Sequence, residues 1–178
     1  MKILVVRHGQ TDWNIERRVQ GITDIPLNQK GIEQAYVVKE KLREEKIELC
    51  FSSPLKRAKQ TAEIIKAERK IPLKLDERLI EISYGKMEGK LSNEFSTRTE
   101  FGNIVDGKLY KGAEASRDFM DRVFAFLEEL KNLQVDTVLL VTHKEVCRAI
   151  DFYFNGLLDD KKLKGREVAN CEVIYYEF

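Results

Sequence analysis

The sequence predicts an α/β fold, a single three-layer domain spanning residues 1–178 with a mostly parallel central sheet and helices on both faces. Three observations lead there. Short, continuously apolar runs recur along the chain, amphipathic patterns of helical period lie between them, and no internal repeat, low-complexity tract or linker breaks the alternation. A chain of 178 residues suits one domain, burying roughly 70% of the surface its unfolded form exposes.

Residues 3–6, 49–51 and 138–141 are continuously apolar, as strands covered on both faces should be. Residues 73–75 form a shorter candidate, and residues 173–176 are rich in β-branched and aromatic side chains. Between these runs, residues 31–46 carry Ile32, Ala35, Val38 and Leu42 at helical spacing, with Glu and Lys opposite. Ser53-Pro54 reads as an N-cap followed by proline in the first helical position, and Leu55, Ala58, Ala62 and Ile65 form the stripe to be buried. Residues 116–133 continue the pattern through Phe119, Val123, Phe126, Leu127 and Leu130.

Charge and cysteine usage narrow the chemistry. Lys plus Arg minus Asp plus Glu is 31 − 30, or +1, which gives no long-range field to draw in nucleic acid or an acidic membrane. Anion recognition must therefore come from a few cations placed locally. Cys50, Cys147 and Cys171 are widely separated, and the chain has only two histidines, so no zinc-ligand spacing arises. Sparse, odd cysteines fit a reducing compartment and read as small buried hydrophobes. The short apolar run near Met1 is not a signal peptide, and no stretch approaches the ~18 apolar residues of a membrane span. A cytoplasmic location without membrane partners is the expectation, and no feature points to an oligomeric state.

In an open parallel sheet, ligands bind outside the carboxyl ends of the strands. The two histidines both stand there: Arg7-His8-Gly9 follows the first apolar run and Thr142-His143 follows 138–141. Arg7 adds a fixed cation, and Gly9 lets the backbone leave the strand sharply or approach a ligand closely. The turn Phe51-Ser52-Ser53-Pro54 brings a helix N-terminus to the same edge, where free N–H groups suit a phosphate. Spacing does not single out Arg57 from its neighbours Lys56 and Lys59. Neither a P-loop, nor a dinucleotide fingerprint, nor a G-x-S-x-G elbow is present. The residues alone reach a phosphate-handling site with histidine chemistry.

Several separated motifs then carry a resemblance. Arg7-His8-Gly9-Gln10-Thr11-Asp12-Trp13-Asn14 opens it, followed by Gln20-Gly21-Ile22-Thr23-Asp24 with Gly31, and by Ser52-Ser53-Pro54-Leu55-Lys56-Arg57-Ala58. Asp76 to Glu81 with Tyr84-Gly85 and Glu88-Gly89, then Val141-Thr142-His143, then Asn170, complete the order. Together they resemble the histidine phosphatase superfamily, whose fold is also called phosphoglycerate-mutase-like. The resemblance implies that His8 is a nucleophile that takes up a phosphoryl group. It implies that Arg7, Arg57 and His143 surround the phosphoryl oxygens, that Glu81 is the proton donor, and that Asn14, Gln20 and Gly21 touch the substrate. No metal and no cofactor are implied, and the partner is a small phosphorylated substrate.

Departures from the family pattern bear on the reaction. Family mutases carry Glu-Arg at the acidic motif, with the Arg helping to hold a substrate carboxylate, whereas this chain has Glu81-Ile82. Residues 91–111 are short where mutases carry arginine-bearing insertions, although Arg98 or Lys108 is available as a substitute. Lys144 stands where the family usually has Gly, a substrate contact if its ammonium turns inward and a surface cation if it turns outward. Ala113-Glu114-Ala115 replaces the usual Gly-Glu-Ser. These features favour hydrolysis of a small phosphomonoester through a phosphohistidine. The alternatives are mutase-type phosphoryl transfer and a phosphate-binding protein without activity, the latter opposed by the complete catalytic set.

Overall fold

Sheet strands and helices alternate as the apolar pattern requires. The computed structural model describes residues 1–93, 111–156 and 167–178. The strands are β1 (Lys2–Arg7), β2 (Leu49–Ser52), β3 (Leu73–Leu75), β4 (Thr137–Thr142) and β5 (Val173–Glu177), laid side by side in the order β3-β2-β4-β1-β5. All pairings are parallel except β1 with β5, which is antiparallel. Every residue of β4 is buried, which explains its unbroken apolar run: a strand covered on both faces has no solvent side on which to alternate.

Two separate cores lie on the two faces of the sheet. Side chains alternate in direction along β1, so Ile3 and Val5 join α4 (Ser116–Leu130) and α5 (Lys144–Asn155) in one core. Leu4 and Val6 join α2 (Gln29–Lys41) and α3 (Lys56–Lys66) in the other. Phe119, Val123, Phe126, Leu127 and Leu130 are all buried, as their spacing predicts. A short helix, α1 (Asp12–Ile15), follows the first loop, and two 3₁₀ turns, Glu77–Leu79 and Gly85–Met87, precede α4. Among the described residues no helix is long and apolar enough to cross a membrane.

Several element boundaries differ from expectation for local reasons. The helix expected over 31–46 begins earlier, because the Asn28 side chain accepts from the Gly31 N–H and caps it. It stops early as well, because Arg69 donates to the carbonyls of Leu42 and Glu45 and takes up the freed C-terminal acceptors. Ser53 does not cap α3 and Pro54 is not its first residue. Leu55 is extended (φ −61°, ψ 136°) and the helix starts at Lys56, because the Ser53 hydroxyl is held by the Leu55 N–H and by His143. Ala58, Ala62 and Ile65 are buried while Leu55 is only half-buried. The helix expected over 116–133 ends at Leu130, and α5 is an element the sequence reading left unassigned. Cys50 and Cys147 are buried as expected, whereas Cys171 is partly exposed.

The first loop is locked to α2 by close backbone approach. A Cβ on Gly31 would stand 2.1 Å from the Gln10 carbonyl oxygen, and one on Gly9 would stand 2.4 Å from the Gly31 carbonyl oxygen. Gly9 is thus required by its contact with the helix. Gly31→Ala is expected to lower stability by roughly 1–3 kcal/mol through overpacking, seen as an earlier urea midpoint. An unchanged midpoint would show that the loop yields freely.

Candidate active site

The parallel register of β1 and β4 builds the site. Arg7 lies opposite Thr142, so the next residues, His8 and His143, leave the sheet together at its carboxyl edge. Their rings are 5.2 Å apart between centroids and tilted by 59°, and both are buried. The two histidines singled out by position are neighbours.

Hydrogen bonding fixes the state of each ring. The Nδ1 of His8 is 2.7 Å from the Gly9 carbonyl. A carbonyl only accepts, so the proton sits on Nδ1 and the Nε2 lone pair is free. His143 has the opposite arrangement. The Arg57 Nε–H donates to its Nδ1 at 3.2 Å, so Nε2 carries the proton and donates to the Ser53 hydroxyl at 2.8 Å. Burial, then the positive charges of Arg57 and Arg7, hold His8 well below the usual imidazole range, and burial followed by Arg57 does the same for His143. Both rings are neutral at pH 7.

Arg57 is distinguished from its neighbours by burial. It is 0% exposed, whereas the side chains of Lys56 and Lys59 are 63% and 45% exposed and pair with Asp24 and Glu63. Arg57 also donates to the carbonyls of Gly21 (2.7 Å) and Thr23 (2.8 Å). That loop is held from the other side by Glu88, which accepts from the N–H groups of Ile22 and Thr23 and from the Thr23 hydroxyl. Gly21 has φ +51°, a conformation that favours glycine. Thr61 ties the two halves together, its hydroxyl accepting from the Gly9 N–H and donating to the Arg57 carbonyl.

Arg7 donates to the Val168 carbonyl at 2.5 Å. Its Nε and the Gln20 Oε1 are the buried side-chain polar atoms left without a partner among the described residues. An unmet buried donor and acceptor favour a ligand that supplies the complementary groups. Asn14 serves the loop itself: its Oδ1 accepts from the Thr11 N–H and from Asn170, which also donates to the His8 carbonyl.

Glu81 completes the site. It is 8% exposed and reaches the edge because the buried Thr142 hydroxyl donates to the Leu79 carbonyl. Arg122 adds support by donating to the carbonyls of Arg78 and Glu81 while pairing with Glu114. The Glu81 carboxyl accepts from the N–H groups of Ile82 and Glu145. Burial, then the Glu145 charge, push it up to about 7, against the opposing pull of Arg57.

Several contributors escaped the sequence reading. Thr61, Glu88, Arg122 and Glu145 act through other groups, and only Glu88 lies in a recognised motif. Lys144 is tied to Glu167 at 3.2 Å and is not part of the arginine cluster. Ile82 is a core residue, 4% exposed and grouped with Leu79 and Phe119, so its side chain packs into the core. Arg98, Lys108 and most of the 91–111 segment lie outside the described residues. The arrangement can hold an anion between two guanidinium groups, present an imidazole lone pair to it and offer a proton from a buried carboxyl.

Comparison with known proteins now decides the family. The sequence pattern described as "Histidine phosphatase superfamily (branch 1)" matches residues 3–178. The chain belongs to the histidine phosphatase superfamily. Among its relatives is an Escherichia coli K12 protein named "Probable phosphoglycerate mutase GpmB", 37% identical over 99% of this chain and 86% of that protein. Bacillus stearothermophilus YhfR superposes with a TM-score of 0.86 at 30% identity, covering 99% of this chain and 90% of that one. A structure described as a candidate alpha-ribazole-5'-P phosphatase from Escherichia coli K-12 superposes at 0.77 with 26% identity, covering 87% and 80%.

Burial of Ile82 yields a test. Ile82→Arg places a guanidinium among apolar side chains and should cost about 3 kcal/mol or more, read as a large loss of denaturant midpoint. A variant of wild-type stability that gained affinity for carboxylate substrates would show the position to be a pocket residue instead.

Proposed function

We propose that this protein is a phosphomonoesterase that works through a phosphohistidine on His8. The observation that carries the reading is one cradle holding a neutral imidazole with a free Nε2 lone pair, the buried guanidinium of Arg57 with the half-buried Arg7 beside it, and a carboxyl that keeps its proton near neutral pH.

The substrate phosphoryl group sits between Arg7, Arg57 and His143, with Gln20, Gly21 and Asn14 lining the approach. His8 Nε2 forms a bond to phosphorus as the bond to the leaving oxygen breaks, and Glu81 gives that oxygen its proton. The alcohol departs. Glu81, now a carboxylate, takes a proton from water as the water oxygen bonds to phosphorus and the N–P bond breaks. Inorganic phosphate leaves and the carboxyl is protonated again. A loose phosphoryl-transfer transition state needs placement and positive charge, which the guanidinium groups supply, so we propose that no metal takes part.

Mutase-type transfer is the second reading, favoured by the GpmB resemblance. A mutase must grip the substrate away from its phosphate. The cations of α4 and α5 that stand near Glu81 and Glu145 are already paired: Lys144 and Arg148 with Glu167, Arg148 also with Glu145, and Arg122 with Glu114. Together with the core placement of Ile82, this pairing favours water as the acceptor. Phosphate release and phosphoglycerate isomerisation measured on one preparation separate the readings, and isomerisation outpacing release would favour the mutase.

Brief exposure to labelled substrate should leave an acid-labile, alkali-stable label that is lost in His8→Ala. A label on serine or cysteine, or activity abolished by chelators, would contradict the mechanism. Glu81→Gln should slow hydrolysis of poor leaving groups by roughly 10²–10⁴-fold while sparing activated aryl phosphates. The pH dependence has a definite sign. Glu81 must hold its proton, so turnover of poor leaving groups falls as pH rises through about 7. His8 must be unprotonated, and its depressed basicity keeps it so well below pH 6.5. A basic limb at the same pH for activated and unactivated esters would assign that limb to another group.

A further inference from the structure

Glu81 is a buried carboxyl with no cation in direct ion-pair contact among the described residues, and a second acid stands beside it. Glu145 opens α5 two residues after His143, and its backbone N–H donates to the Glu81 Oε2 at 3.3 Å. Its own carboxylate is pinned by Arg148 at 2.9 Å, with each side chain only 15% exposed. Arg148 is braced in turn by Glu167 at 3.1 Å, beside Lys144. The second carboxylate is therefore fixed in place and largely withdrawn from water.

We infer that Glu145 is a positioning residue for the acid, its pinned carboxylate keeping the proton on Glu81 until the leaving oxygen of the substrate takes it. A second carboxylate beside a desolvated carboxyl opposes its ionisation. Glu145 has a guanidinium partner, whereas among the described residues Glu81 accepts from backbone N–H groups, so the repulsion between them falls on Glu81. The catalytic meaning of the pair rests on the phosphomonoesterase reading, but the proton distribution does not.

Other groups face the pair as well. Arg57 from α3 and Arg7 from β1 draw Glu81 toward ionisation. Cys147 from α5 and the half-buried Tyr84 sense both carboxylates, and Arg122 from α4 binds the Glu81 carbonyl. The nearby cations alone would favour a carboxylate at Glu81. Burial and Glu145 hold it protonated.

Charge and structure can be separated by two substitutions with opposite expected effects. Glu145→Gln keeps the backbone N–H and the side-chain volume but removes the negative charge, so the Glu81 midpoint should fall by roughly one pH unit. Arg148→Gln leaves the negative charge unneutralised, so the midpoint should rise. The measurement is a carbon-13 NMR titration of side-chain carboxyls in the full chain labelled at glutamate, with the Glu81 resonance identified by its loss in Glu81→Gln. The basic limb for a poor leaving group should follow the NMR midpoint in each variant.

Opposite displacements support the inference. A midpoint unchanged in Glu145→Gln, or lowered equally by both substitutions, overturns it, since a merely structural role gives no sign reversal. If Arg148→Gln fails to fold, the downward shift in Glu145→Gln decides the matter alone. Midpoints that move apart in a protein that hydrolyses no phosphomonoester would support the paired acids while removing the catalytic reading.

Discussion

Arg57 donates to three acceptors that carry no formal charge: the carbonyls of Gly21 and Thr23 and the Nδ1 of His143. Burying a guanidinium is costly unless its hydrogen bonds are met, and here they are met with no carboxylate in contact among the described residues. The charge is held but not cancelled, which is the condition for attracting an anion. Much of the structure follows from that demand. His143 must stay neutral to accept, the loop at Gly21 must turn with positive φ to aim its carbonyls, and Glu88 must hold that loop from behind. Thr61 then joins the arginine to the loop that carries His8.

The same low-dielectric edge drives acids and bases apart. Burial next to two guanidinium groups strips protons from the imidazoles, while burial next to a second carboxylate keeps one on Glu81. Opposite displacements of this kind allow a nucleophile and an acid to coexist in their working forms near neutrality. Neither displacement requires unusual residues. Each comes from which charges the strand ends and helix starts bring within a few ångströms.

The sheet was legible because burial on both faces writes unbroken apolar runs, and β4 is the clearest example. Both histidines were legible from position, since parallel strands direct their carboxyl ends to one edge. Arg57 and Glu81 became legible only through motifs, because nothing in the spacing of Lys56, Arg57 and Lys59 tells which is buried. The start of α3 was misread because Ser53-Pro54 has the local chemistry of a cap, and the hydroxyl that should have capped is claimed by His143. Ile82 looked like a pocket position by comparison with mutases, yet it is a core side chain beside Leu79. Arg122 and Glu145 lie far from Glu81 in sequence, and tertiary contact alone reveals them.

The place of β1 in the sheet governs how the chain assembles. It is the first strand in sequence, yet its neighbours β4 and β5 come from the other end. During synthesis at about 5–20 residues per second, the apolar side chains of β1 wait on the order of ten seconds before a pairing strand exists. Loop closure over such a span also slows folding relative to local structure. The histidine edge therefore forms late. A partly made chain holds neither ring in place, and a nascent chain of this protein is a candidate for chaperone protection before it is capable of any chemistry.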